Sequence, residues 1–205
     1  MANADRPCGL KPVKYTSGKP WNGAVTMYYS SGATAIYKGM VVVSGSTASA
    51  DGKTPSVVAV SSSGKGDCIG VAVGFSNQRF IAADVTNLNK LYAPGSSAAS
   101  YIAVVDDPDV LFEIQEDNGS SAHISIADVG QFFPITNYAS GTAATGHSTT
   151  ELDSDGNTDT EASGLVQLVA LVDREDNTIA SSADHAKWLV RIGNHQMAPV
   201  GLISH

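Results

Sequence analysis

Apolar residues in this chain come in short runs, and nearly every run stops at glycine, serine, asparagine or aspartate. An amphipathic helix needs an apolar stripe recurring every three to four residues over ten or more positions, whereas short runs bounded by turn formers fit strands. Val25–Tyr29 and Ala35–Tyr37 flank Ser30–Thr34 in a hairpin-like pattern, and Gly39–Val43 follows as a buried strand. Ser56–Val60 and Cys68–Phe75 are separated by the Ser/Gly segment Ser61–Gly66. Tyr101–Val105 and Val110–Gln115 bracket Asp106–Asp109, where Pro108 suits a turn. Leu165–Val172 and Lys187–Ile192 close the set. This spacing predicts an all-β chain, a β-sandwich or barrel-like single domain.

Helical signal is thin. Around His123–Val129 a short helix and a strand are equally compatible with the pattern, and no fixed-period repeat is apparent. Residues 139–163 are rich in Gly, Ser, Thr and Asp and are expected to form a long exposed loop or a pair of polar hairpins. Only 16% of residues are charged, which leaves few side chains for solvated helix faces.

Residues 1–22 differ from the rest. Pro7, Pro12 and Pro20 with Gly9 and Gly18 predict an extended, polyproline-like arm in front of a body spanning 23–205. The arm carries Arg6, Lys11, Lys14 and Lys19 against Asp5, and residues 186–205 carry Lys187 and Arg191 with no acid. Since the whole chain is at −8, the segment between these ends is strongly acidic. That balance argues against nucleic acid, whose phosphates demand a basic face. It favours cationic ends that seek an acidic protein surface. Within the arm, Leu10, Val13, Tyr15 and Trp21 are the apolar groups expected to be buried on a partner, with Trp21 either the anchor or a cap on the body's own core.

Motifs that carry chemistry are sparse. The alternating oxygens of Asp153, Asp155, Asn157, Asp159 and Glu161 suit a hard cation, but glycine falls at the fourth loop position where an EF-hand wants it at the sixth. A solvated acidic loop is the favoured reading, with no resident metal or cofactor. The acids Asp106, Asp107, Asp109, Glu113, Glu116 and Asp117 flank a turn proline or alternate with apolar residues on a strand, so no catalytic pair is expected. The five histidines have no nucleophile elbow beside them, and phosphate-loop and dinucleotide motifs are missing. Cys8 and Cys68 lack metal-ligand spacing and read as two free thiols. The first residues lack a basic segment followed by an apolar run, and no stretch of 18 apolar residues exists, so a soluble, cytoplasmically made protein without membrane contact is expected.

Four strings together resemble a family of tailed-bacteriophage virion proteins: Met1–Val13, Ile69–Phe75, Val104–Asp117 and Ala186–Gln196. Asp106-Asp-Pro-Asp109 followed by Phe112-Glu-Ile-Gln-Glu-Asp117 is the most distinctive of them. The resemblance implies a non-enzymatic capsid decoration, or cement, protein bound to the major capsid protein on the head exterior, after synthesis in the host cytoplasm. It also implies self-association, with trimers favoured. The alternative is a carbohydrate-binding module of a head or tail fibre, in which exposed aromatics and the Asp153–Glu161 loop hold sugar and calcium.

Overall fold

The computed structural model describes residues 3–30, 32–62, 68–77, 90–95, 100–119, 123–156, 164–179 and 185–198. It is nearly all β, as the sequence predicts. In chain order the strands are β1 (Lys11–Tyr15), β2 (Thr26–Ser30), β3 (Ile36–Tyr37), β4 (Val41–Ala48), β5 (Pro55–Ala59), β6 (Cys68–Ser76), β7 (Tyr92–Ala93) and β8 (Ser100–Val105). There follow β9 (Val110–Gln115), β10 (Phe132–Phe133), β11 (Ile135–Thr136), β12 (Gly141–Thr142), β13 (His147–Ser148), β14 (Glu151–Leu152), β15 (Val166–Leu171) and β16 (Lys187–Ile192). Among the described residues no helix is long and apolar enough to cross a membrane.

Five strands close a barrel in the order β2-β5-β4-β6-β8. All neighbours in it are antiparallel except β2 and β5, which run parallel and pair Tyr29 with Ser56 and Ser30 with Val57. A second, open antiparallel sheet runs β1-β9-β16-β15-β10. Three short ribbons, β3–β7, β11–β14 and β12–β13, complete the described architecture.

Two apolar cores follow from side-chain alternation on the barrel strands. Val42, Val57, Ala72, Ile102 and Val104 pack with Tyr28, Ile36 and Met40 in one core. Val41, Val71 and Val105, their neighbours in sequence, pack in the other, against Phe112, Ile114, Leu168, Trp188 and Val190 of the open sheet. The barrel strands facing the open sheet are therefore buried on both sides, which is why they read as unbroken valine and alanine runs.

The structure corrects several local expectations. The hairpin expected across Ser30–Thr34 does not form: β2 pairs with β5 and β8, while β3 pairs with β7. Asp106–Asp109 does turn the chain, with Asp107 Oδ1 accepting from the Asp109 backbone, but it carries the chain out of the barrel into the open sheet. Near His123–Val129 there is neither α-helix nor strand, only a single 3-10 turn, Ile126–Asp128, capped by Ser125 and Asp128. The segment from 139 contains the β12–β13 hairpin, as one alternative had it, yet Ser148, Thr150, Leu152 and Ser154 are buried in it rather than exposed. Hydroxyls make that burial tolerable: Ser148 and Thr150 bond each other at 2.6 Å and return to the carbonyls of Ser140 and Asn137.

Candidate functional site

The N-terminal arm is not a polyproline-like segment clear of any ladder: Lys11–Tyr15 forms β1, and the arm lies on its own body. β1 pairs with β9 through Lys11↔Glu113, Pro12↔Phe112, Lys14↔Leu111 and Tyr15↔Val110, with a bulge at Val13. Pro12 is tolerated because β1 is an edge strand, where the ladder can spare an N–H. Leu10 is fully buried in the core beneath the open sheet, and its N–H donates to Gly39 O. The chain then doubles back: Tyr15 N donates to Lys19 O and Trp21 N to Val13 O, making a hairpin along the sheet edge. Trp21 packs against the same core, and its indole N–H is buried with no hydrogen-bond partner among the described residues. The core-cap reading of Trp21 is therefore the one the geometry favours.

Of the residues expected to dock a partner, Leu10 is thus spent on the protein's own core, while Tyr15 is half-buried and donates from its hydroxyl to Asn22 Oδ1. Arg6, Lys11 and Lys19 are exposed, Lys14 is half-buried, and Val13 is 37% exposed. Lys11 stands opposite Glu113, but that carboxylate already takes Arg174 Nη2 at 2.7 Å, which leaves the lysine charge available. Lys11, Lys187 and Lys38 all act on the Cys8 thiol, which partial burial and Glu113 nevertheless push up. The arm edge is a cationic rim with one apolar side chain on an otherwise acidic molecule.

In front of the hairpin, residues 3–6 lie across the body through polar contacts. Asn3 and Thr178 exchange hydrogen bonds at 3.0 and 3.1 Å, and the Arg6 N–H donates to Gln115 Oε1. The other end of the Gln115 amide is a hub. Its Nε2 lies 3.2 Å from Asp5 Oδ1, 3.1 Å from Glu151 Oε1 and 3.3 Å from His185 Nδ1. Burial, then Gln115 in the opposite sense, then the charges of Asp5 and Asp117 set the Glu151 carboxyl, with the net effect upward. Sequence reasoning missed this cluster because its members come from the arm, β9, β14 and the approach to β16, with nothing local to link them. The one signal was two consecutive polar residues, Gln115 and Glu116, ending an apolar strand run.

The acidic loop splits. Asp153 Oδ1 accepts from the Asp155 N–H, and burial followed by Asp117 holds the Asp153 carboxyl above its usual range. Asn157, Asp159 and Glu161 lie outside the described residues. The acids around the turn are likewise divided: Asp106 accepts from Thr26 and Tyr28 hydroxyls, Glu113 pairs with Arg174, and Asp117 accepts from Ser154 N and Oγ. Neither thiol is in a disulfide; Cys8 is exposed and Cys68 buried.

A sugar-binding surface would need an open aromatic face. Tyr37 and Tyr92 stack at 4.9 Å, but the other face of Tyr37 is covered by Gly141, where an added Cβ would fall 2.4 Å from the ring. That stack is internal packing between β3, β7 and β12. No family of known proteins, no curated protein and no solved structure matches the chain.

Proposed function

We propose that this chain is a capsid decoration protein of a tailed bacteriophage, docking on the outer surface of the major capsid protein through the cationic edge of its N-terminal hairpin. The single observation that carries this reading is the position of Lys11, Val13, Lys14 and Lys19 together on an outer sheet edge of a net acidic protein. An edge strand presents ordered backbone and side chains, so little ordering entropy is lost on docking. The cationic rim favours an acidic partner surface and accelerates encounter at low salt. The resemblance of Val104–Asp117 and the termini to phage virion proteins supplies the identity of that partner. Repetition over a lattice then reinforces the shell without chemistry, because many modest contacts act together. Assembly as trimers at local threefold positions goes with this reading and is checked by sedimentation.

The test is occupancy on purified particles. Lys11→Gln, Lys14→Gln and Lys19→Gln combined are expected to cut occupancy at least about tenfold, with a folding cost well below that of a core substitution, since Lys11 and Lys19 are exposed and Lys14 is half-buried. Particles decorated fully by the triple variant would refute the docking edge.

A further inference from the structure

We propose that Asp5, Glu151 and His185 form a binding site for a divalent transition-metal ion, zinc-like in its ligand preference, that fastens the N-terminal arm to the body. The three ligand atoms, one from each side chain, all lie within 4.8 Å of one another. They belong to segments far apart in sequence: the arm, the short strand β14, and the residue two before β16. One imidazole nitrogen and two carboxylate oxygens make a mixed donor set that suits zinc and its neighbours, and is too poor in oxygens for calcium.

The charge at this place is undercompensated. Glu151 is 9% exposed, and its carboxylate faces the cluster with a neutral amide N–H as its hydrogen-bond donor. Asp5 and Asp117 add negative charge beside it. Among the described residues no lysine or arginine pairs with Asp5 or Glu151, and His185 Nδ1 lies 3.9 Å from Asp5 Oδ1. A buried carboxylate without a cation is costly. The Gln115 amide nitrogen lies within 3.3 Å of one atom from each of the three side chains and has two protons, which Asp5 Oδ1 and Glu151 Oε1 accept.

Ligands around zinc at bonds of about 2.1 Å stand roughly 3.4 Å apart, so separations of up to 4.8 Å must contract by up to roughly 1.4 Å. Asp5 can supply that movement, because its side chain is 63% exposed and sits on the arm. Gln115 Nε2 turns aside, and a water completes the ion's shell. Metal binding would thereby close the arm at residue 5, upstream of the sheet edge, and does not depend on the function proposed above.

Zinc chloride alone, titrated calorimetrically into the full chain, tests this, with magnesium and calcium chlorides as controls. The expected result is saturable binding of one zinc ion per chain, reversed by chelator, a raised melting temperature with zinc but not magnesium, and slowed amide exchange at residues 3–6. Asp5→Asn changes an exposed side chain and His185→Ala a half-buried one; both are expected to weaken binding at least tenfold, whereas His147→Ala leaves it unchanged. Lack of saturable zinc binding, or wild-type affinity in either Asp5→Asn or His185→Ala, overturns the site.

Discussion

Glu116 has no exposed surface, and its carboxyl meets three donors: Oε2 takes Trp188 Nε1–H at 3.0 Å, Oε1 takes the Ala186 N–H at 3.2 Å, and the Ile124 backbone N–H bonds it as well. Burial outweighs these donors and pushes the carboxyl from 4.5 up to about 7. Because the folded value is raised, the folded protein holds this proton more tightly than the unfolded chain. The stability it confers is fully present below 4.5 and is lost as pH rises through about 7. Glu116→Gln keeps one acceptor and sets an amide against a donor, so it should destabilise by about 1–3 kcal/mol. It should also flatten the decline in stability between pH 5 and 8, which urea unfolding across that range checks. From sequence, Glu116 was one acid among six beside a turn, and the same was true of Asp106, which anchors two hydroxyls. What separates them is whether a second chain segment arrives to supply donors, and residue type carries no record of that. Glu113 was readable, since alternation with Phe112 and Ile114 puts it on the polar face where Arg174 meets it.

At the level of elements, the long strands were readable because the pattern of burial and the pattern of sequence coincide: β9 and β16 occupy the residues that the apolar runs mark. Strand partners were not readable, because adjacency in sequence suggests hairpins and the barrel instead joins β2 to β5 and β8. The arm was half readable. Its prolines do exclude a helix, yet an edge position accepts Pro12, and Leu10 has a cavity waiting in the core. Leu10→Ala is therefore expected to cost about 2–5 kcal/mol, measured by denaturant unfolding, even though residue 10 lies in a proline- and glycine-rich stretch. Removal of residues 1–20 should likewise lower the melting temperature, because it takes away β1 and the buried Leu10. The arm crosses the corner before β4 at a point where only glycine fits: Gly9 and Gly39 have φ of +69° and +90°, and a Cβ on Gly39 would lie 2.4 Å from Cys8 O. Gly39→Ala should destabilise by more than about 1 kcal/mol and expose residues 3–10 to protease.

Across the whole molecule, the barrel and the open sheet have no strand in common, but barrel strands contribute side chains to both cores. Val41 and Val42 are neighbours on β4, yet one belongs to the core under the open sheet and the other to the core inside the barrel. Neither core can dissolve without pulling a wall from the other, so calorimetry should record one transition with equal calorimetric and van't Hoff enthalpies. Val41→Ala and Val42→Ala should each move that single transition, without splitting it. The pairing of β1 with β9 also has a temporal side. On the ribosome, β1 is made about a hundred residues before the strand it pairs with, and β9 in turn waits for β16 on its other flank. Throughout that interval the side of the earliest strand that β9 will cover is an unsatisfied edge, open to neighbouring nascent chains. Lysines at its first and fourth positions, a proline between them and a bulge are the features that discourage such encounters, so the charges that suit this edge for a late partner also guard it during synthesis.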